Sequence, residues 1–221
     1  MNPTARRAID SPLYDLLGFA LGLALAWHFG WQTHDLVWTL WLSSLVIGYA
    51  TIVLGIVGSA RRFATGRPPA ALVLAVAGAL FFLAFFTFHF GMFHLVHSLF
   101  LNLFFPLVPG GPGDPTPTLG LYLRVLFSYA PWLLAAGVAE RTVLLEAWRA
   151  EPKPGAKSPV AFDPGAAYRN VIRMHLLIFF FAGASFLRLE GMWVYAVVYV
   201  VYFFPWRLLR RKPAEPAPPT I

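Results

Sequence analysis

Six apolar runs, at residues 12–31, 36–60, 70–108, 119–148, 171–187 and 192–206, constrain this chain more than any other feature. A membrane-spanning helix needs roughly 20 apolar residues, and five of the runs are near that length. Hydrophobic residues make up 58% of the chain and charged residues 12%. So little polar surface cannot cover a water-soluble globule. Hydrocarbon leaves helices or closed barrels as the spanning structures, and runs of this length read as helices. The expected fold class is all-α: a polytopic transmembrane helical bundle of about six spanning helices. Residues 1–212 form its single transmembrane domain, and the Pro-rich tail 213–221 is expected to be disordered.

Charge sets the expected topology. With Arg6 and Arg7 cytoplasmic and one crossing per run, all 17 Lys and Arg residues except Arg124 and Arg188 fall on or beside the cytoplasmic side. This is the positive-inside pattern, and it places both termini in the cytoplasm. Two crossings within 70–108 would invert everything downstream and destroy the bias. That run therefore makes one crossing, as a long tilted helix or as a crossing preceded by an interfacial segment near residues 68–80. The formal charge of +7 lies in loops between apolar runs. It points to anionic lipid headgroups rather than nucleic acid, so the lipid bilayer is the expected partner. The first run follows Arg6 and Arg7 but is long, carries Asp15 and lacks a clean cleavage site, so it reads as a retained helix. The expected location is a bacterial inner (cytoplasmic) membrane.

Ionisable residues at membrane depth are costly and mark functional sites. His89, His94 and His97 lie within nine residues of one apolar run. His94 and His97, three apart, share a helix face and could chelate one ion. His89 and His97 are separated by about 12 Å of helical rise and cannot share an ion unless Gly91 interrupts the helix. His175, in the fifth run, is a candidate ligand from a second helix. Glu140, near the inner end of the fourth run and followed by Arg141, is a candidate catalytic carboxylate or ligand, with an intrahelical or interfacial ion pair as the plainer reading. Ser43, Ser44, Tyr49 and Thr51 are expected to serve close helix packing. The chain has no cysteine, which excludes disulfides and thiolate ligands. Zinc or iron would suit imidazole and carboxylate ligands. No zinc-protease, serine-hydrolase, phosphate-loop or dinucleotide motif is present.

Three segments carry a family resemblance. They are Trp41-Leu-Ser-Ser-Leu-Val-Ile-Gly48, His89-Phe-Gly-x-Phe-x-x-Val-His97, and Tyr168 seven residues before His175. Together they resemble a bacterial family of uncharacterised multi-pass membrane proteins, catalogued as a domain of unknown function. The resemblance extends over residues 38–209, and its most specific part is the His-aromatic-Gly-x-Phe-x-x-x-His segment. It implies that His89, His97 and His175 are the family's usual histidines and that His94 is a local addition. The chain departs from the pattern where relatives carry Glu-Asn, at Ser43-Ser44, and where they carry His-Gly, at Ala136-Gly137.

The leading expectation is a metal-binding membrane protein with His89, His94, His97 and His175 as ligands. If it is an enzyme, Glu140 would act on a lipid-soluble substrate. The alternatives are a b-type haem protein with histidines from two helices, and a non-enzymatic transporter, proton path or assembly factor.

Overall fold

The computed structural model describes residues 11–64, 68–107, 116–150 and 192–205, together with 172, 176, 177, 179–181, 183, 184, 186, 187, 208 and 209. Among these residues the regular structure is helical throughout. The helices are α1 (Pro12–His28), α2 (Thr33–Ala64), α3 (Pro69–Phe104), α4 (Leu119–Tyr129), α5 (Trp132–Ala139), α6 (Arg141–Arg149) and α7 (Met192–Phe203). Further helical residues occur between 172 and 186. The inner loop 151–165, His175 and the tail 213–221 lie outside the described residues.

Among the described residues, two helices are long and apolar enough to cross a membrane: Thr33–Phe63 and Pro69–Phe104. A third crossing is available if α4 and α5, bent by 70° at their junction, count as one span. The run 70–108, whose shape was open in the sequence, folds as one unbroken 36-residue helix. At 1.5 Å per residue that is about 54 Å, well beyond a hydrocarbon core of about 30 Å. The run 119–148 differs from the single helix expected. Pro131 has no N–H to continue the ladder, and the chain turns there between Tyr129 and Trp132. A second break falls at Glu140, whose φ and ψ are −96° and 12°.

Local signals in the sequence set the helix ends. Ser11 caps α1, its hydroxyl accepting from the Leu13 N–H, with Pro12 at the first helical position. At the other end Gly30 takes a φ of +64°. Its N–H donates to the Trp27 carbonyl, and the Trp31 N–H donates to the Ala26 carbonyl at 2.9 Å. This paired closure needs a left-handed residue after the helix, which glycine supplies without strain. It reverses the chain and delivers Trp31 into the core. Asp35 then accepts from the Gln32 N–H at 2.7 Å and starts α2.

Helix α2 is the axis of the molecule: α3, α4, α5, α6 and α7 all pack on it, while α1 packs on α5. Its Thr33–Phe63 stretch is half buried inside the protein, whereas α3 presents most of its surface outward. The main core gathers Trp31, Trp38, Trp41, Leu101, Tyr129, Trp132, Phe181 and Tyr199. A second cluster of Ile52, Phe86 and Phe90 lies between α2 and α3.

Close approach depends on small residues, because lipid provides no hydrophobic drive between helices. At Gly58 a Cβ would lie 2.8 Å from the Ala147 carbonyl oxygen and overlap that of Trp148, so α2 and α6 touch backbone to backbone there. Neither carbonyl can swing away without deforming α6. Gly58→Ala should therefore destabilise the purified protein by about 1–3 kcal/mol, read as a lower thermal midpoint. Gly137→Ala, where an added Cβ meets nothing within 4 Å, should leave the midpoint unchanged or raise it.

Candidate functional site

The structure separates the three histidines of α3. Rise and rotation along one helix decide this: five residues from His89 to His94 turn the side chain by about 140°. His94 and His97 are buried, whereas His89 is exposed on the outward face. His89 stacks on Phe85, with ring centroids 5.6 Å apart, and meets the ring of Phe93 edge-on at 5.1 Å. Gly91 does not interrupt the helix. His94 and His97 face the α2 side with ring centroids 6.3 Å apart.

The surroundings of His94 fix its chemistry. Its Nδ1 lies 2.9 Å from the Phe90 carbonyl oxygen. A carbonyl can only accept, so Nδ1 carries the proton. In the neutral ring Nε2 then holds a lone pair, and it lies 3.3 Å from the Ser44 hydroxyl of α2. From the same helix, Trp41 donates its indole N–H to the His94 carbonyl at 2.9 Å. Trp41 also stacks on Tyr122 of α4, at 5.7 Å and 8°. The Tyr122 hydroxyl lies 2.8 Å from that of Ser98, one residue beyond His97. His94 thus packs against α2, and Ser98, next to His97, reaches Tyr122 of α4.

The packing expectation for the α2 hydroxyls holds in part. Ser43 and Thr51 donate back to carbonyls of their own helix, Leu40 and Ile47. Ser44 instead turns to His94. Trp41, Ser98 and Tyr122 were not among the candidate site residues. Ser98 had a usable signal, since it lies four residues from His94 and shares its helix face. Trp41 stood only at the head of a segment carrying the family resemblance, and Tyr122 had no signal, because an aromatic residue in an apolar run is ordinary core.

Glu140 does not join this site. Among the described residues no group of three or more His, Cys, Asp or Glu could hold a metal ion. Glu140 occupies the break between α5 and α6, its N–H donating to the Ala136 carbonyl. Arg141 forms an ion pair across the bundle. Arg141 meets Asp15 of α1 at 2.7 Å. Its guanidinium also donates to the carbonyls of Val138 and Ser11, and lies 4.9 Å from the Tyr14 ring centroid. A planar five-donor fork can satisfy all of these at once, so the ionic group ties the start of α1 to the α5–α6 break.

A further polar cluster closes the opposite end of α1. The Tyr129 hydroxyl donates to Asp35 at 2.5 Å, and His34 lies 3.3 Å from the other carboxylate oxygen. Tyr129 is buried, so this contact holds the end of α4 to the start of α2.

The Asp15–Arg141 pair is largely shielded, with side chains 23% and 13% exposed. Asp15→Asn and Arg141→Gln should each destabilise the protein by about 1–3 kcal/mol through the partner left buried. The double variant should cost less than the sum of the two, as a thermal-shift double-mutant cycle would show. Strict additivity would mean that the two groups do not support each other.

No curated protein and no solved structure matches the chain. The model of a family described as a family of unknown function, DUF6498, matches residues 16–204. This agrees with the expectation of an uncharacterised domain over most of the chain. The match spans most of the sequence, and the chain belongs to this family of unknown function.

Proposed function

We propose that this is a multi-pass integral membrane protein whose working centre is the His94–His97 pair, a site for one divalent transition metal, zinc or iron. The observation that carries the reading is the state of His94. One ring nitrogen is locked on the Phe90 carbonyl and the other is directed at Ser44, beside a second buried imidazole on the same face. A histidine ligand characteristically donates its non-ligating N–H to a carbonyl or carboxylate, which fixes the tautomer and orients the lone pair. Two imidazoles on one ion at about 2.0–2.1 Å place their ring centroids roughly 5 Å apart. The 6.3 Å observed closes to that with a side-chain rotation of about 1 Å.

Two protein ligands leave room for others. His175 is the remaining histidine of the predicted set, and the proposal assigns it the third ligand position. Glu140 has no part in it. A metal held there, within the apolar interior of the bundle, would serve chemistry on a lipid-soluble substrate. A haem is the poorer fit, since axial ligands approach from opposite sides of the ring plane, whereas His94 and His97 share one face of one helix. The wider topology, six crossings with both termini in the cytoplasm of a bacterial inner membrane, is supported by the loop charge bias.

Elemental analysis of detergent-purified protein tests this, with a purification tag that contains no histidine. Wild type should carry about one zinc or iron per chain. His94→Ala and His97→Ala should lose it, and His89→Ala, on the far face, should keep it. Metal-free wild type from replete cells would refute the proposal. So would metal loss from His89→Ala equal to that from His97→Ala.

A further inference from the structure

The last turns of α2 and α6 make a second polar centre, apart from the His94–His97 site. The close contact at Gly58 sets the carbonyls of Ala147 and Trp148 against α2. It brings the Arg61–Arg62 end of α2 to the Trp148–Arg149 end of α6. The guanidinium of Arg61 lies over the Trp148 ring, 4.4 Å from its centroid. In sequence, residues 61–67 and 146–153 carry five Lys and Arg side chains, namely Arg61, Arg62, Arg67, Arg149 and Lys153, against two carboxylates, Glu146 and Glu151. The C-terminus of α6 offsets about half a charge more, and a positive excess is left.

Depth follows from α2 itself. Its apolar stretch Thr33–Phe63 has 31 residues, about 46 Å at 1.5 Å per residue. A bilayer with its headgroups is about 40–45 Å thick, so the stretch reaches from one headgroup layer to the other. Arg61 and Arg62, at its end, stand in that layer, where Trp is also favoured. Val57 and Val53 lie four and eight residues before Arg61, on the same line of α2. Both are exposed, at 39% and 43%, as is Arg61. One face of the helix therefore passes from hydrocarbon-facing to cationic within about two turns.

We infer that this junction binds one anionic phospholipid, its phosphate held by Arg61, Arg62 and Arg149 and an acyl chain laid along Val57 and Val53. Stacking on Trp148 fixes the plane of the Arg61 guanidinium, and its five N–H donors lie in that plane, directed past the ring. A fork held in this way meets two phosphate oxygens at once. Five donors on each group also leave all three arginines able to keep their contacts within the protein. A free phosphate ion would use only the polar end of this surface, whereas the line of valines gives a chain its place. A zwitterionic headgroup brings a cation of its own among the guanidinium groups and is the poorer match.

Native mass spectrometry of the delipidated, detergent-purified chain reads the site, with phosphatidylglycerol and phosphatidylcholine titrated separately. Phosphatidylglycerol should bind about 10-fold or more tighter than phosphatidylcholine. Arg61→Gln, Arg62→Gln and Arg149→Gln should each weaken phosphatidylglycerol about 5-fold and leave phosphatidylcholine unchanged. Arg124→Gln removes the same charge from the exposed face of α4 and should alter neither. Glycerol 3-phosphate, which has the phosphate without the chains, should not displace the lipid at equal concentration. Equal affinity of the wild type for both lipids would overturn the proposal. So would a loss in Arg124→Gln matching that in Arg62→Gln, which is the mark of diffuse charge attraction, or displacement by glycerol 3-phosphate, which is the mark of a simple anion site. Thermal midpoints without lipid identify any variant that fails to fold. Arg62→Gln with Arg149→Gln leaves the Arg61–Trp148 stack in place, and an undiminished preference for phosphatidylglycerol in that double variant would also sink the assignment.

Discussion

Two indole N–H groups hold this bundle in register. Trp38 donates to the carbonyl of Phe105 and Trp41 to that of His94, each at 2.9 Å, so α2 grips α3 at its end and near its centre. Apolar contact alone distinguishes poorly between one helix register and the next in lipid, since the tails are as greasy as leucine. A buried N–H with a single reachable acceptor does distinguish. A one-residue slide of α3 would leave both indoles facing the wrong part of the backbone. The cost of an unsatisfied donor in that setting is about 1–3 kcal/mol, enough to favour a single alignment.

The site follows from that alignment. Trp41 fixes the depth of His94, and the Phe90 carbonyl fixes its tautomer. Ser44, one turn beyond Trp41 on α2, then comes to lie opposite the free nitrogen. The same indole, stacked on Tyr122, brings α4 up against Ser98, the residue after His97. A residue that would ordinarily count as core packing thus organises three helices around two imidazoles. The end of the bundle at Asp15 and Arg141 is held by different means. There the bonds are ionic, Asp15 to Arg141, and the helix contacts run through glycine. Ionic bonding suits a position close to the headgroups, where a guanidinium can keep part of its surface wet.

The bend at Pro131 completes the arrangement. It lets α4 run beside the N-terminal part of α2, while α5 turns to pack on α1 and α6 packs on α2 near Gly58. A straight helix over the same run would pack along one side only. Tyr129, the last residue before the bend, anchors it by donating to Asp35 at the start of α2.

The sequence by itself determined that the chain is helical and built for lipid, because length and apolarity of a run are local properties. Helix ends at Ser11, Gly30 and Thr118 were written in the same local terms, as caps and a left-handed turn. The three-residue spacing of His94 and His97 already put them on one face. What the tertiary structure alone decided is which face looks inward. Helix α3 is apolar all round, so no periodicity in it distinguishes the side that meets α2 from the side that meets the bilayer. Only the docking of Trp38 and Trp41 resolves that, and it buries His94 and His97 while turning His89 outward. The partner of Arg141 was hidden for a similar reason. Its nearest carboxylate along the chain is Glu140, but a helix break directs the guanidinium across the bundle to Asp15, 126 residues away in sequence.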